Sequence, residues 1–181
     1  MYYVKVCFII SCLALIAGCQ DVSDDLAPSN NDNRPTVEAG STGTLPGQTS
    51  PTFTATDTLS NSHMLEDELA LADGIVLYFT MWCPVCDSHM SHIRRHLVDD
   101  FPNVTFFVVD FVTGSVAASR SAQLASGYSD FIVLADNQHV LYDLYDGGMG
   151  TTIIIDSSGT VLFNEDYKDG SKVRETLETL P

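Results

Sequence analysis

The sequence predicts an α/β layered domain built on a mixed sheet, preceded by an export signal and a polar tether. Three observations carry this. Apolar runs of strand length, "IVLYFT" at 75–80 and "VTFFVV" at 104–109, alternate with segments of helical period. Later, "TTIIID" and "TVLFN" flank "SSG" between positions 151 and 164, which is a hairpin signal. Residues 20–51, by contrast, are rich in Ser, Thr, Asn, Asp, Gly and Pro and show no useful periodicity. Such a stretch cannot bury enough apolar surface to offset the entropy of ordering it. Strands alternating with helices imply parallel pairing with helices on both faces, and the hairpin adds an antiparallel edge.

The elements follow in order. Residues 1–18 carry one cation, Lys5, then an apolar run from Val6 to Ala17 and small residues before Cys19, the pattern of a secretory signal. The run is shorter than the roughly 20 residues a spanning helix needs. Ile16-Ala17-Gly18-Cys19 resembles the lipobox of bacterial lipoproteins, which implies that Cys19 is lipidated and becomes the mature N-terminus. Multiple acyl chains suffice for stable anchoring in a bilayer. Gln20 follows in place of the retention aspartate known in enteric bacteria, which leans toward the outer membrane. Residues 19–51 are then a lipidated, flexible tether, and 52–181 form one domain of ordinary size.

Within that domain, 61–72 reads as a helix with Leu65, Leu69 and Ala72 on one face, ended by Gly74. The strand 75–80 leads into a helix over 84–98, where Pro84 sits in the first turn and its missing N–H costs nothing. Strand 104–109, helix 115–126, strand 131–134 and helix 137–145 follow, the last stopped by Gly147-Gly148. Ser171 is expected to cap a final helix over 172–180. Phe106, Phe107, Ile153 to Ile155 and Leu162 are strand core, and Tyr142 and Tyr145 fit the face of a surface helix.

The charge balance is strongly acidic, with 24 carboxylates against 8 Lys and Arg and a formal net charge of −16. The one basic cluster is Arg94-Arg95. A field of this sign repels nucleic acid and anionic headgroups, so no nucleic-acid partner is expected. Of the 5 cysteines, Cys7 and Cys12 leave with the signal and Cys19 takes lipid, so Cys83 and Cys86 remain as thiols. An exported compartment lets a disulfide persist. As a structural staple the pair would contribute little, because it closes a very short loop.

A Cys-x-x-Cys after a buried strand and at the start of a helix has the spacing of a redox couple. One helical turn sets the second sulfur beside the first. The helix N-terminus offers free N–H donors and a partial positive charge that favour a thiolate at Cys83. On this reading Cys83 attacks a substrate disulfide and Cys86 resolves the mixed disulfide.

The segment "YFTMWCPVCDSHM" at 78–90 resembles the tryptophan-flanked Cys-x-x-Cys segment of thioredoxin-fold proteins. "DNQHVLYDLYDGGMGTTIIIDSSGTVLF" at 136–163 resembles the helix, loop and hairpin of the TlpA/ResA branch. The resemblance covers about residues 52–181 and implies a thioredoxin-like three-layer sandwich. It further implies an extracytoplasmic, membrane-tethered thiol–disulfide oxidoreductase with no cofactor beyond the Cys83–Cys86 couple. Trp82, Pro84, Val85, Met149, Gly150 and Thr151 would support the site, protein thiols and disulfides would be substrates, and a membrane electron donor would recharge it. The dipeptide Pro84-Val85 lacks the histidine of strongly oxidising members, which favours a reductant or an isomerase partner.

Two positions depart from the family pattern. Gly150 stands where the family has a cis-proline, and a cis bond before a non-proline costs about 2.5–4 kcal/mol, so a trans peptide is expected. Leu77 stands where many thioredoxins carry a buried, proton-accepting Asp, leaving that role to water or to another group, with Glu66, Glu68 and Asp87 as candidates. Other readings stay open beside the redox one. His89, His92 and His96 share a helix face after Cys86, so Cys83, Cys86 and His89 could instead hold copper or zinc. A permanently oxidised binding module is another. A peroxidase would need a lone cysteine with a supporting arginine, and Arg94 and Arg95 lie far along the helix.

Overall fold

A computed structural model describes residues 37–38 and 40–181; the expected signal, Cys19 and the tether up to residue 36 lie outside the described residues. The core is a five-stranded sheet of order β5-β4-β3-β6-β7. Its strands are β3 (Gly74–Thr80), β4 (Val104–Asp110), β5 (Ile132–Ala135), β6 (Thr151–Asp156) and β7 (Val161–Asp166). β3 pairs parallel with β4 and antiparallel with β6, β4 pairs parallel with β5, and β6 pairs antiparallel with β7. The expected mixed sheet is therefore the observed one.

Every residue of β3 is buried, as its unbroken apolar run predicts. Alternation along the strand then feeds two cores. Val76 and Tyr78 pack with Met90 and Ile93 of α2 (Pro84–His96), with Leu97 at its C-cap, and with Val173 and Leu177 of α5 (Ser171–Leu177). Ile75, Leu77 and Phe79 pack on the other face with Leu65 of α1 (Leu65–Leu69) and Leu141 and Tyr145 of α4 (Val140–Tyr145). The remaining helix, α3 (Val116–Ala125), is capped by Ser115, whose hydroxyl accepts from the Ala118 N–H at 3.2 Å. Helices thus cover both faces of the sheet.

Local chemistry shifts several element boundaries. The expected helix from residue 61 yields first to a hairpin, β1 (Thr54–Thr56) with β2 (Ser62–Met64), and is helical only over α1. The cause is Asp57, whose carboxylate accepts from the N–H of Leu59 and of Asn61, both at 2.8 Å, and reverses the chain. Helix α4 starts at Val140, not 137, because the Asp136 carboxylate takes the N–H groups of Leu141 and Tyr142 while His139 sits at φ 57°. Tyr145 is not a surface residue. It is 1% exposed, and its hydroxyl bonds Ser50 at 2.7 Å. The last helix begins at Ser171 itself with Gly170 as its cap, and ends at Leu177.

Residues just before 52, expected as the end of the tether, lie along the outer edge of β7. Gly47 donates to the Val161 carbonyl at 2.8 Å, Val161 donates to Gln48 at 2.9 Å, and Asn164 donates to Thr44 at 2.9 Å. An edge strand presents unpaired backbone groups, and this segment satisfies them.

The loop between α4 and β6 sets one wall of the region around Cys83. A Cβ at Gly147 would lie 2.5 Å from the Phe79 ring, so only glycine lets the chain pass there. Gly150 has φ +86°, donates its N–H to the Phe79 carbonyl at 3.0 Å, and accepts from the Tyr167 N–H at 2.8 Å. The peptide before it is trans; among the described residues none is cis. A proline here would need φ near −65° and would forfeit the N–H, so the loop is built around glycine. Gly150→Pro is expected to destabilise the domain by about 3 kcal/mol or more, and Gly150→Ala by about 1–2 kcal/mol, read from urea unfolding midpoints.

His63 forms a second structural centre, away from Cys83. Its Nδ1 lies 2.7 Å from Glu68 and its Nε2 3.2 Å from Asp57. Burial opposes its charge, but hydrogen bonds and charge from Glu68 and Asp57 outweigh this and raise its pKa above the ordinary 6.5. A raised folded-state pKa gives stability that is complete below the unfolded value and disappears as pH rises through the folded one. His63→Gln is therefore expected to cost about 1 kcal/mol near pH 6, because a charge-assisted bond becomes a neutral one. The gap should close above the raised pKa, as denaturant titrations across pH would show.

Candidate active site

The strand β3 delivers its C-terminal end directly to the N-terminus of α2. Trp82 turns the chain at φ 58°, with its N–H donating to Thr80 Oγ1 at 3.1 Å. Its indole packs against the core beneath α2. Cys83 is the N-cap, in extended conformation, and Pro84 follows in the first turn. The Cys83 Sγ accepts the Cys86 N–H at 3.2 Å, replacing the oxygen of an ordinary cap. Cys83 and Cys86 are free thiols with sulfurs 2.7 Å apart. Cys83 is half-buried, whereas Cys86 is 0% exposed.

Around Cys83 the exposed rim is apolar. Met81, Val85 and Met149 are each nearly half exposed, and Met149 Sδ lies 3.3 Å from the Cys83 Sγ. Gly150 and Thr151 complete this side, with Thr151 Oγ1 accepting the Gly148 N–H at 3.0 Å. The loop that carries them is pinned to β3 through Phe79, so the thioether is held over the thiol by backbone bonds.

Beneath the pair the surroundings are polar. Burial pushes the Cys86 thiol up, but hydrogen bonds from Cys83, from the backbone of Met81 and Cys83, and from the Thr80 side chain outweigh it, and its pKa falls below the ordinary thiol value. Tyr78 lies in the same layer as Thr80, two residues back along β3. Burial drives its phenol far up, and the charge and hydrogen bond of Cys86 add to that, with Cys83 and Tyr167 contributing further. Its hydroxyl is also 3.0 Å from His89 Nδ1. His89 is half-buried, and desolvation lowers its pKa against the opposing pull of the Lys168 carbonyl and Asp166.

The three helix histidines do not gather with the cysteines. His89 is engaged by Tyr78, while His92 Nδ1 bonds the Tyr167 hydroxyl at 2.7 Å and its ring lies 4.7 Å from that of His96. Among the described residues no three His, Cys, Asp or Glu side chains are placed to hold a metal ion. The acidic groups considered as proton acceptors are also committed elsewhere. Asp87 accepts from the Tyr128 hydroxyl at 2.6 Å, Glu68 holds His63, and Glu66 is bonded by Thr52. Arg94 donates to Asp130 at 2.6 Å and covers the Tyr128 ring at 4.3 Å, and Arg95 donates to the Ser91 carbonyl. Sequence reasoning missed Tyr78 and Thr80, although strand periodicity places both on the face of β3 that meets α2.

Known proteins agree with this architecture. A candidate thiol:disulfide interchange protein DsbE from Chlorobium tepidum is 18% identical, with a TM-score of 0.62 over 74% of this chain and 96% of that one. The thioredoxin domain of a thiol-disulfide oxidoreductase from Bacteroides vulgatus is 18% identical, with a TM-score of 0.58 over 72% and 96%. Peroxidoxin BcpB from Mycobacterium tuberculosis is 22% identical, with a TM-score of 0.60 over 75% and 97%. At these identities the likeness establishes the thioredoxin-like fold. No curated protein sequence matches the chain. The sequence model of the AhpC/TSA family matches residues 46–163, which include both cysteines and all five strands of the main sheet except the end of β7, and the chain accordingly belongs to the AhpC/TSA family of thioredoxin-fold proteins.

Proposed function

We propose that the protein is a membrane-anchored, extracytoplasmic thiol–disulfide oxidoreductase that acts as a reductant through Cys83 and Cys86. The observation that carries this is the asymmetry of the pair: an accessible sulfur at a helix N-cap touches a fully buried one at one helical turn's distance. The Cys83 thiolate attacks a substrate disulfide R–S–S–R′, forming Cys83–S–S–R and expelling R′S⁻, which takes a proton. Cys86 then attacks the Cys83 sulfur, forming the Cys83–Cys86 disulfide and releasing the second substrate thiol. Two electrons pass to the substrate, and a membrane thiol donor must return the pair to its reduced state. Trp82, Pro84, Val85, Met149, Gly150 and Thr151 would shape the face that receives the substrate.

The apolar rim and the disulfide chemistry named for the Chlorobium and Bacteroides neighbours support this reading. A peroxide-reducing site is less well served, because Arg94 and Arg95 are bonded away from Cys83. The lipobox at Ile16-Ala17-Gly18-Cys19 supports anchoring on the periplasmic side, with the outer membrane favoured by Gln20. Proteins with accessible disulfides are the substrate class, and the acidic surface disfavours nucleic acid.

Two experiments test the reading. Cys86→Ser is expected to accumulate a mixed disulfide at Cys83 on exposure to a disulfide-bonded protein, whereas Cys83→Ser accumulates none and reduces substrate no faster than background. If iodoacetamide modified Cys86 before Cys83 in the native reduced protein, the assigned roles would be wrong. For anchoring, Cys19→Ser is expected to abolish incorporation of labelled palmitate and to move the protein from the membrane fraction into the soluble one.

A further inference from the structure

A resolving cysteine must lose its proton before it attacks, and the Cys86 sulfur has no exposed surface from which to lose it. The acidic candidates Asp87, Glu68 and Glu66 are bonded elsewhere, and Leu77 lies in the opposite core. Thr80 can stabilise the thiolate, but it is itself fully buried and cannot carry a proton out. Tyr78 differs, because its hydroxyl lies 3.0 Å from His89 Nδ1, one helical turn beyond Cys86 on the same helix, and Cys86 is close enough to help raise the phenol pKa.

We propose that Tyr78 and His89 form the proton exit from Cys86, with the Tyr78 hydroxyl as the relay and His89 as the acceptor at the protein surface. This rests on the dithiol reading above. As the Cys86 proton moves to the Tyr78 oxygen, the phenolic proton moves to His89 Nδ1, so the tyrosine never becomes an anion. The freed Cys86 thiolate forms its bond to the Cys83 sulfur, the Cys83–substrate S–S bond breaks, and the leaving thiolate takes a proton from solvent. The His89 imidazolium then returns its proton to water.

The local structure fits each role. The high phenol pKa keeps Tyr78 protonated, so its O–H is always available to donate. With the imidazole proton on Nε2, Nδ1 is the acceptor facing Tyr78. Desolvation keeps that imidazole neutral near pH 7. The charged and titratable groups around it are Tyr78 from β3, Asp166, Tyr167 and Lys168 from the end of β7 onward, and Cys86 and His92 on its own helix. The ring of Tyr167, 4.8 Å away, holds the imidazole in place, and Gly150 lies against its edge.

The test separates the two chemical steps. The reduced full chain is mixed with oxidised glutathione and quenched in acid at short intervals, and the Cys83–glutathione adduct is counted by mass spectrometry. The adduct should form and then decay as Cys86 resolves it. Tyr78→Phe and His89→Ala are expected to leave formation unchanged and to slow decay at least about tenfold. Added imidazole should restore the decay in His89→Ala in proportion to its free base. It should leave Tyr78→Phe slow, because no solute reaches the buried Cys86 sulfur. Unchanged decay in both variants would overturn the relay, as would a slowed His89→Ala that imidazole cannot rescue. Should Tyr78→Phe fail to fold, the imidazole response of His89→Ala decides alone. If the wild-type adduct forms and never decays, the dithiol reading fails first and takes the relay with it.

Discussion

The complete burial of β3 is the constraint on which the rest of this molecule depends. With β4 on one side, β6 on the other and helices over both faces, each of its side chains has to belong to one of two cores. A fully buried aliphatic or aromatic side chain contributes roughly 1.5–3 kcal/mol, so a run of them fixes the register firmly. A slip by one residue would exchange the two cores. Register in turn decides which side chains lie beneath the helix that carries the cysteines. Those are Val76, Tyr78 and Thr80, while Leu77 and Phe79 face away.

This placement bears on the family pattern. The resemblance puts an acid at the position of Leu77, and here that residue is enclosed among Ile75, Phe79, Ile153 and Leu141. A carboxylate in that company would be desolvated without a partner, at a cost of several kcal/mol. The proposed relay puts the polar function one residue along the strand instead, on a phenol on the opposite face. Gly150 belongs to the same rearrangement. With φ +86° and both backbone groups bonded, its loop has a different path from one built on a cis-proline, and it brings Met149 over Cys83 and leaves its open side against His89.

Much of this was legible in the sequence wherever a single strong local preference decided the outcome. The unbroken apolar run announced β3, Pro84 marked the first turn of α2, and Ser-Ser-Gly marked the hairpin of β6 and β7. The redox spacing was legible too, because strand, Cys-x-x-Cys and helix are contiguous. Failures arose where a side chain overrode periodicity. Asp57 turned a predicted helix into a hairpin, and Asp136 moved the start of α4 by capping from outside it. Tyr145 reads as amphipathic surface because nothing local reveals Ser50 as its partner. The Tyr78–His89 contact was out of reach for the same reason. It joins a strand to the second turn of a helix, and it exists only once the packing of α2 on β3 is known.

The burial of Cys86 then poses an electrostatic problem that the site solves in two parts. Desolvation disfavours the thiolate, and donors from Cys83, Thr80 and the backbone more than compensate, so a charged sulfur is tolerable where water does not reach. Stabilising the anion does not move its proton, however. A base at the sulfur itself would have to be buried, where a carboxylate would compete for the same donors and repel the thiolate. A neutral phenol avoids both penalties, because it can pass a proton onward without holding a charge. The charge appears instead on His89, whose half-buried ring faces solvent and the field of Asp166. In the proposed relay, separating the buried sulfur from the charged base by one hydroxyl thus lets Cys86 ionise without any exposed surface of its own.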